Sequence, residues 1–484
     1  MAGLSAVVIG AGMAGVLMGI RLKDAGVGSL VILEKGGSVG GTWRENTYPG
    51  LHCDFPSHLY RYSFDPNPEW SHHFSPGAEI RQYFENAARK FGVFDRIRFD
   101  SEVAEARWNG AGWEVKLVDG RVFAADVLIS ATGFLHVPRY PDIPGLKDFA
   151  RPCFHTARWD HAVPLDGRRV GLVGTGSTAT QVVCALANRA ARLCVFQRTP
   201  QWVMRLDNPA YSEADKAAFR KDPALMEARF REMEQQMVYL ADGAIQGRNA
   251  EARAWLERNV QDNLASVRDP VLRQKLTPDY QVGCKRLVMS PSFYESIQHP
   301  ACELVTAKIE RIVAEGVRTN DGGLHALDVL VLATGFDPQA YFCPVKLFGE
   351  QGRSIDEVWA NGPRAYRSMT VPYMPNFFMI EGPFSPVGNV SAILIAEWQS
   401  EYIVNCIAAG AARKVALVPD AQKTEAMMQA YKAATRDTIW FTGGCRSWYL
   451  DQDGVPILYP HPAQQFEQEM RRAPDLAEYR AIAL

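Results

Sequence analysis

The sequence predicts an α/β fold with two Rossmann-like dinucleotide-binding domains and a helical insertion in the second. Three observations predict it. A glycine-rich turn follows a short apolar strand twice, at Gly10 and at Gly174. The letters ATGF end a later strand in each half, at residues 131–134 and 333–336. The chain has 484 residues, more than one ordinary hydrophobic core accommodates, so the repeat is expected to form two domains.

The charge and composition exclude several classes of partner. The chain has 52 basic and 54 acidic residues and a net charge of -2, so no global field attracts nucleic acid or acidic membranes. No apolar run approaches the roughly 18 residues that a membrane span needs. We therefore expect a cytoplasmic protein with no nucleic acid partner, no membrane span and no obligate protein partner.

The cysteines are scattered along the chain. There are 9 of them, and no two form a C-x-x-C pair. This pattern favours neither a disulfide framework, nor a zinc site, nor a dithiol redox motif. We expect isolated buried thiols in a reducing compartment and no metal centre.

The first nucleotide-binding unit begins at the N-terminus. Leu4–Ile9 is short and apolar, which is typical of a buried parallel strand. A helix is predicted to run to about Asp24, and Leu30–Leu33 is predicted as the second strand. Strand, glycine turn, helix and strand follow one another in the order that a dinucleotide-binding unit requires.

Four residues of this unit are expected to serve the dinucleotide. Gly10 permits the tight turn, Gly12 lets the backbone approach a pyrophosphate, and Gly15 lets the helix pack close to the strand. The N-terminus of the helix then faces the phosphates. Glu34 ends the second strand, where its carboxylate can accept hydrogen bonds from an adenosine ribose.

Two later segments complete the first unit. Gly40–Asp54 is predicted to be an ordered loop because it is rich in glycine, proline and aromatic residues. From the residues alone, Asp54 fits a solvated or capping role as well as a functional one. A hairpin over residues 113–123 precedes a buried strand that ends in ATGF, and the small residues Thr132 and Gly133 there allow a ligand to approach closely.

The second unit repeats this order. Arg169–Val173 is an apolar strand, a helix is predicted to run to about Arg189, and Arg192–Gln197 is the second strand. The residues that its turn offers to a pyrophosphate are Gly174, Gly176, Ser177 and Thr178. The second ATGF supplies Thr334 and Gly335 at the positions that Thr132 and Gly133 occupy in the first.

The end of the second strand distinguishes the two units. Arg198 and Thr199 stand where the first unit has Glu34. An acid there accepts from a ribose hydroxyl and repels a 2′-phosphate, whereas arginine binds a 2′-phosphate through charge-assisted hydrogen bonds. We therefore predict NADPH in the second unit and a dinucleotide without a 2′-phosphate in the first. Two dinucleotides face to face suggest hydride transfer between nicotinamide and flavin, with FAD in the first unit.

A change of composition interrupts the second unit between about residues 208 and 280. Ser212–Tyr239 and Ala250–Val267 are rich in Ala, Glu, Arg, Met and Gln with helical spacing. We predict an inserted group of helices, and we expect its methionines to belong to the packed core.

The stretch Phe149–Asp160 joins the two units and resembles a known fingerprint. The pattern F-x-G-x-x-x-H-x-x-x-W, followed by Pro or Asp, is typical of type I Baeyer-Villiger monooxygenases. The matching residues are Phe149, His155, Trp159 and Asp160. Arg151 stands where the family has glycine. Glycine permits a positive φ or close backbone packing that arginine does not easily adopt, so either the hinge takes a different path or the glycine is not geometrically required.

Further motifs extend the resemblance over essentially the whole chain. The loop after the first unit is similar to the family pattern [A/G]-G-x-W-x-x-x-x-[F/Y]-P-[G/M]-x-x-x-D. Its matching residues are Gly40, Gly41, Trp43, Tyr48, Pro49, Gly50 and Asp54. The segments 196–200, 283–286 and 444–449 resemble the family's NADPH-specifying segment, its catalytic-arginine segment and its C-terminal segment, respectively.

The resemblance implies a monooxygenase that uses FAD and NADPH. Reduced FAD would react with O2 to give a flavin C4a-peroxide. One oxygen atom would then be inserted next to the carbonyl of an apolar ketone or aldehyde, giving an ester or lactone. Arg286 would supply a fixed cation beside the flavin, and Asp54 would pair with it. Lys285 would assist Arg198 and Thr199 at the 2′-phosphate.

The resemblance also implies the remaining contacts and the domain division. Gly41, Thr42, Trp43 and Asn389 would contribute to the FAD site. Phe149, His155 and Trp159 would form a hinge that fixes the domain arrangement. The FAD domain would comprise residues 1–145 and 345–484, and the NADPH domain residues 146–344.

The C-terminal third carries one further helix of interest. It is predicted over Val390–Ile407 and to end near Gly410. If its N-terminus points at the flavin, its dipole would stabilise the anionic reduced form. Trp440, Trp448 and Tyr449 follow as aromatics that either pack in the core or line the substrate pocket.

Three other functions share parts of this pattern. A flavin-containing monooxygenase that oxidises sulfur or nitrogen would use the same cofactors, but it usually lacks a tryptophan at the position of Trp159. A flavin disulfide reductase would need a redox-active cysteine pair, which the sequence does not indicate. An NADPH oxidase or a non-catalytic redox sensor would bind the nucleotides without oxygenating an organic substrate.

Overall fold

The structure confirms the predicted fold class, with two parallel five-stranded sheets of Rossmann type in one chain. It is a computed structural model and describes residues 1–388 and 390–484. The predicted cofactor contact Asn389 therefore lies outside the described residues. None of the described helices is long and apolar enough to cross a bilayer.

The first sheet is built on the N-terminal unit. In spatial order its strands are Phe377–Met379, Val127–Ser130, Ser5–Ile9, Ser29–Leu33 and Ile97–Arg98. All neighbouring strands are parallel. Helices cover both faces of such sheets, which explains why the central strands are almost entirely apolar and buried. The last third of the chain returns to this sheet through the strand Phe377–Met379.

A long C-terminal helix, Ala392–Arg413, packs on the first helix of the chain, Met13–Asp24. Its start is fixed by Ser391, whose hydroxyl accepts from the backbone N–H of Ile393 at 3.3 Å. The helix was predicted to end near Gly410, and in the structure it ends at Arg413. A side chain at Gly410 would place its Cβ 2.8 Å from the carbonyl oxygen of Val415, so this glycine serves close packing inside the helix.

The second sheet repeats the design of the first. In spatial order its strands are Cys302–Val305, Arg192–Phe196, Arg169–Val173, Val329–Leu332 and Cys153–His155. All of these pairings are parallel as well. The helix Ser177–Leu186 follows the glycine turn of this unit, as Met13–Asp24 follows the turn of the first.

The predicted insertion is helical. Its elements are Glu213–Lys221, Pro223–Val238, a π-helical turn Tyr239–Ile245, Ala250–Ala265 and Pro270–Leu276. The run breaks at Asp222, because Pro223 has no N–H to continue the ladder and suits the first position of a new helix. The Asp222 carboxylate accepts from the N–H of Ala224 at 3.0 Å and thereby caps that helix.

Smaller elements complete the chain. A four-stranded sheet contains Lys346–Phe348, Val103–Trp108, Trp113–Leu117 and Val122–Ala125, and a three-stranded sheet contains Ile309–Val313, Gly316–Thr319 and Leu324–Ala326. Strand pairs are formed by Val203–Met204 with Val288–Met289 and by Val415–Pro419 with Tyr479–Ala483. The remaining α-helices are Thr42–Glu45, Gly77–Lys90, Phe293–Ile297, Ile355–Val358, Ala421–Thr435, Ile439–Thr442 and Ala463–Arg471.

The expectation that all cysteines are isolated thiols is wrong. Cys284 and Cys445 form a disulfide, with their Cα atoms 6.1 Å apart. The two residues are separated by 161 positions in the sequence, so no local spacing pattern announces the pair. The free cysteines are Cys53, Cys153, Cys184, Cys194, Cys302, Cys343 and Cys406.

Candidate active site

The first glycine turn, residues 10–15, forms a concave backbone surface, which we call the first cradle. Its glycines Gly10 and Gly15 are packed so closely that no side chain fits on them. Gly10 has φ +103°, and a Cβ there would lie 2.6 Å from the carbonyl oxygen of Ala131. A Cβ on Gly15 would lie 1.8 Å from the carbonyl oxygen of Gly10. These contacts bring the start of helix Met13–Asp24 against the strand ends, where its free N–H groups form an anion-binding terminus.

The loop after the first unit closes over this turn. Gly41 has φ +52°, and a Cβ on it would lie 2.9 Å from the Cα of Gly12. Thr42 then starts the short helix Thr42–Glu45, and the Trp43 indole N–H donates to the Tyr60 hydroxyl at 3.3 Å. The predicted FAD contacts Gly12, Gly41, Thr42 and Trp43 are thus brought together at one end of the first sheet.

Glu34 is held in place by three donors. Its carboxylate accepts from the backbone N–H groups of Ala11 and Gly36, each at 2.8 Å. It also forms an ion pair with Arg44 at 2.7 Å. Sequence reasoning did not identify Arg44, although this arginine lies within the matched loop. The pairing fixes the acid beside the glycine turn while leaving acceptor capacity on its oxygens.

The second glycine turn reproduces the geometry of the first. Gly174 has φ +125°, and a Cβ there would lie 2.3 Å from the carbonyl oxygen of Ala333. By contrast, a Cβ on Gly176 would meet no atom within 4 Å. Ser177 and Thr178 open the helix Ser177–Leu186. The space over Gly176 and the helix N-terminus together fit a pyrophosphate.

The ATGF segments lie at the carboxyl ends of the strands that adjoin the two turns. The Thr132 hydroxyl donates to the carbonyl oxygen of Tyr341 at 3.1 Å, and the Thr334 hydroxyl donates to that of Arg139 at 2.6 Å. A Cβ on Gly133 or Gly335 would meet nothing within 4 Å. Both glycines therefore border open space beside a cradle.

Two cations lie close together beyond the second cradle. Arg198 is exposed at the end of its strand, and Thr199 accepts through its carbonyl oxygen from the Thr175 hydroxyl at 2.8 Å. Burial and the nearby charge of Arg198 lower the pKa of Lys285, whose ammonium lies 4.7 Å from the centre of the Tyr280 ring. Two adjacent positive charges suit a phosphate better than a hydroxyl.

The loop that carries Asp54 is fastened to the second unit. The Tyr48 hydroxyl donates to the side-chain oxygen of Gln181 at 3.0 Å, and the Gln181 amide donates to the carbonyl oxygen of His52 at 3.0 Å. A Cβ on Gly50 would lie 2.8 Å from the carbonyl oxygen of Gln181, so only glycine allows this approach. Gln181 carries no motif signal, and the sequence did not reveal this contact.

Asp54 meets Arg286 between the two cradles. One guanidinium nitrogen, Nη2, donates to both carboxylate oxygens of Asp54, at 3.0 Å and 2.9 Å. The Arg286 side chain is 34% exposed and the Asp54 side chain is 20% exposed. The charge of Asp54 raises the pKa of Arg286 above its ordinary value, so the cation is permanent. The pair joins residues that are 232 positions apart.

A cavity opens beside this ion pair. The space in it that the centre of a water-sized molecule can occupy is about 30 Å³, and the cavity is partly open to solvent. Its walls include Phe55, Met237, Leu240, Ile245, Trp440 and Tyr449, and Lys285 and Arg286 face it as well. Apolar walls with a few convergent polar groups are the usual composition of a small-molecule site.

The inserted helices supply one wall of the cavity. Met237 was expected to be a core residue; it packs against the core and also lines the cavity. Leu240 and Ile245 come from the π-helical turn Tyr239–Ile245, a rare element that occurs frequently at functional sites. The sequence did not show this turn: the predicted helix stops at Tyr239, and the residues that follow include Asp242 and Gly243, which are poor helix formers.

The C-terminal aromatics both pack and line the cavity. Trp440 and Tyr449 are each 2% exposed and border it. Burial raises the pKa of Tyr449 to about 12, with the charge of Arg286 acting in the opposite direction, so this hydroxyl keeps its proton at neutral pH. Trp448 stacks on Phe134 of the first ATGF, with ring centres 6.0 Å apart.

The fingerprint stretch lies where the two connections between the sheets meet. His155 is fully buried, its Nδ1 accepts from the N–H of Ala157 at 3.1 Å, and its ring packs against Phe336 of the second ATGF. Burial lowers the pKa of His155. Phe149 is buried in the second unit, and Trp159 packs edge-on against Phe154.

Arg151 occupies its position without backbone strain. It is not among the residues with positive φ, and its exposed guanidinium forms an ion pair with Asp328 at 3.3 Å. Glycine is therefore not geometrically required at this point of the hinge. The departure from the family pattern leaves the path of the chain intact.

Within the described parts of the chain, one cluster contains three residues of metal-ligating type. Cys194, Glu303 and His325 bring their ligand atoms within 4.8 Å of one another. The Glu303 carboxylate already pairs with Arg192 and accepts from the Cys194 thiol at 3.3 Å. A guanidinium on the same carboxylate disfavours a cation there, so hydrogen bonding accounts for the cluster.

The sequence is similar to known monooxygenases over almost its full length. An uncharacterized monooxygenase of Mycobacterium tuberculosis is 45% identical over 98% of this chain and 96% of its own. A Baeyer-Villiger monooxygenase of Streptomyces coelicolor is 38% identical over 98% of this chain and 92% of its own. A family model described as pyridine nucleotide-disulphide oxidoreductase matches residues 7–216.

Solved structures show the same similarity. A crystal structure of OTEMO in complex with FAD and NADP superimposes with a TM-score of 0.88 at 26% identity, over 99% of both chains. A closed crystal structure of cyclohexanone monooxygenase gives a TM-score of 0.88 at 27% identity, also over 99% of both chains.

Two nucleotide cradles, an arginine between them and these relatives define a flavin-dependent monooxygenase. The chain belongs to the type I Baeyer-Villiger monooxygenase family, as the fingerprint resemblance implied. The Cys284–Cys445 disulfide does not restore the disulfide reductase alternative, because both cysteines lie outside residues 7–216 and the full-length relatives are monooxygenases.

Proposed function

We propose that this protein uses FAD, NADPH and O2 to insert one oxygen atom next to the carbonyl of an apolar ketone or aldehyde, giving an ester or lactone. The observation that carries the proposal is the Arg286–Asp54 pair, whose guanidinium faces a cavity with largely apolar walls. The first glycine turn and Glu34 would hold FAD, which would supply hydride acceptance from NADPH and the activation of O2.

The two cradles are assigned to the two cofactors by their charge. The first has a buried acid, Glu34, beside its glycine turn and suits the ribose of FAD. The second has Arg198 and Lys285 and suits the 2′-phosphate of NADPH. On this assignment residues 1–145 and 345–484 form the FAD domain, and residues 146–344 form the NADPH domain.

Arg286 supplies a fixed positive charge at the reaction centre. Oxygen insertion next to a carbonyl develops negative charge on oxygen, and a preorganised cation stabilises that charge more effectively than water does. Arginine suits this role because it stays protonated and presents a rigid set of donors. Only Nη2 is engaged by Asp54, so the other nitrogens of the guanidinium retain donors for the reacting oxygen.

Asp54 positions this cation and connects it to the rest of the protein. Its loop is fastened to helix Ser177–Leu186 by the Tyr48–Gln181 hydrogen bond. The same helix opens at the second cradle. The NADPH site and the arginine are therefore supported by one continuous set of packed residues.

The cavity walls define the class of substrate. Phe55, Met237, Leu240, Ile245 and Trp440 present apolar or aromatic surface, which favours a ketone or aldehyde with hydrocarbon substituents. A carbonyl oxygen is the one polar group that such a substrate brings, and the guanidinium of Arg286 is one of the donors that face the cavity.

The test uses the purified holoenzyme with NADPH and a panel of apolar ketones, aldehydes and sulfides. Gas chromatography with mass spectrometry measures the products, and absorbance at the NADPH band measures consumption. We expect esters or lactones in step with NADPH consumption. Sulfoxides in place of esters would transfer the assignment to heteroatom oxidation, and NADPH consumption without any organic product would contradict the proposal.

A further inference from the structure

The Cys284–Cys445 disulfide joins two walls of the cavity. Cys284 lies two residues before Arg286, and Cys445 lies four residues before Tyr449. Both Arg286 and Tyr449 border the cavity. The covalent bond therefore connects the segment that carries the cation to the C-terminal segment, residues 443–449, which we call the C-terminal wall.

Few other contacts hold these two segments together at this point. The N–H of Gln281 donates to the carbonyl oxygen of Gly443 at 2.9 Å. The backbone is closely packed, because a Cβ on Gly443 would lie 2.6 Å from the Cβ of Cys284. Gly444 adopts φ +80°, a left-handed turn that glycine adopts without strain. Without the sulfur bond, this backbone hydrogen bond, the contact of the Cys445 N–H with the Cys284 sulfur at 3.2 Å and the close packing remain.

The disulfide is accessible from one side. Cys284 is fully buried, whereas Cys445 is partly exposed between the exposed residues Gly444 and Arg446. A thiolate can therefore attack the sulfur of Cys445 and displace the thiolate of Cys284. The positive charge of Arg446 favours the approach of an anionic thiolate, and Lys285 stands next to the departing sulfur in the sequence.

We propose that Cys284 and Cys445 are a redox modification site that controls the mobility of the C-terminal wall. A peroxide oxidises the two thiols: the sulfurs lose two electrons and two protons, one S–S bond forms, and hydrogen peroxide becomes two molecules of water. A small dithiol reverses the change through a mixed disulfide, leaving two cysteine thiols and the cyclic disulfide of the reductant. The kinetic consequence rests on the proposed function of Arg286.

The oxidised form fixes the position of the C-terminal wall relative to Arg286. In the reduced form the wall moves relative to Arg286, and kcat/KM for a ketone falls by up to about 100-fold, the cost of misplacing a reacting group by about an ångström. Flavin reduction at saturating NADPH is retained, because the two glycine turns lie outside both joined segments.

The experiment compares the holoenzyme after hydrogen peroxide and after dithiothreitol. Peptide mass spectrometry without reduction detects the cross-link. Hydrogen exchange over residues 443–449 measures the mobility of the C-terminal wall, and the rate of ester formation measures the activity. We expect a cross-linked peptide containing both cysteines after peroxide. After dithiothreitol we expect its loss, faster exchange and slower ester formation, all reversed by a second peroxide treatment.

Cys284→Ser and Cys445→Ser should behave as the reduced enzyme under both treatments. Cys343→Ser, which replaces an exposed free cysteine, should respond like the unmodified chain. Absence of the cross-linked peptide after peroxide would overturn the proposal, as would a cross-link whose reduction leaves hydrogen exchange unchanged. Faster exchange with unchanged ester formation would support the modification site and contradict its kinetic coupling to Arg286, whose own role is tested separately by Arg286→Ala.

Discussion

Replacing Arg198 by alanine should change which nicotinamide cofactor the enzyme prefers. Arg198 ends its strand beside Lys285, and its charge helps to lower the pKa of that lysine. A hydrogen bond to a charged group contributes about 1.5 to 3 kcal/mol. Since about 1.4 kcal/mol corresponds to a factor of ten, the loss amounts to about 10-fold to about 150-fold. Arg198 is exposed, so solvent screening places the expected effect near the lower limit.

The assay is the ratio of kcat/KM for NADPH to kcat/KM for NADH at a saturating ketone concentration. We expect the value for NADPH to fall by about 10-fold, while the value for NADH changes little, because NADH has no 2′-phosphate. The effect should shrink as ionic strength rises.

A matched control removes another exposed arginine from the same strand. Arg192 pairs with Glu303 at the start of that strand, and Arg192→Ala should leave the ratio unchanged. An equal loss for NADPH and NADH in Arg198→Ala would refute the 2′-phosphate contact. A change of the ratio in Arg192→Ala would show that net charge, and not a contact, sets the preference.

Three further predictions concern other parts of the protein. Arg286→Ala should retain flavin reduction by NADPH, measured by stopped-flow absorbance, but lose ester formation. The control Arg231→Ala, on the exposed insertion, should retain both. Ester formation at the normal rate in Arg286→Ala would contradict the assigned role. Gly174→Ala should lower the melting temperature, because its Cβ would lie 2.3 Å from a carbonyl oxygen. Gly176→Ala, whose Cβ would meet nothing within 4 Å, should weaken NADPH binding at an unchanged melting temperature. Equal melting temperatures for the two variants would argue against strain at the turn. Burial raises the pKa of Glu381 to about 8, so between about pH 5 and 8 the folded state holds a proton that the unfolded state has lost. The free energy of unfolding should therefore fall as pH rises from about 5 to 8. Glu381→Gln should reduce this pH dependence in thermal melts, and an unchanged pH dependence would assign it to other groups.

The fold was predictable because its signals are local. A short apolar strand, a turn with glycines at fixed spacing and a following helix lie within about 30 residues, and both units have them. Arg198 was informative for the same reason, since its position relative to Gly174 identifies it with the position of Glu34. The family motifs located Asp54 and Arg286, which the residues alone did not distinguish from surface charges.

What the sequence did not show depends on contacts between distant segments. The Cys284–Cys445 pair is separated by 161 positions, and cysteine spacing carries information only for neighbours. Met237 has the helical spacing of a core residue, and periodicity does not distinguish a core from the wall of an apolar cavity.

The chain passes between the two sheets twice, and the two passages are bonded to each other. The N–H of Arg139 donates to the carbonyl oxygen of Gly335, and the N–H of Asp337 donates to that of Val137, both at 2.9 Å. Two antiparallel connections that share hydrogen bonds bend easily about the line across them, whereas twisting or sliding would break those bonds. We therefore expect any relative motion of the two units to be a hinge rotation about a single axis, which passes through Val137–Arg139 and Gly335–Asp337.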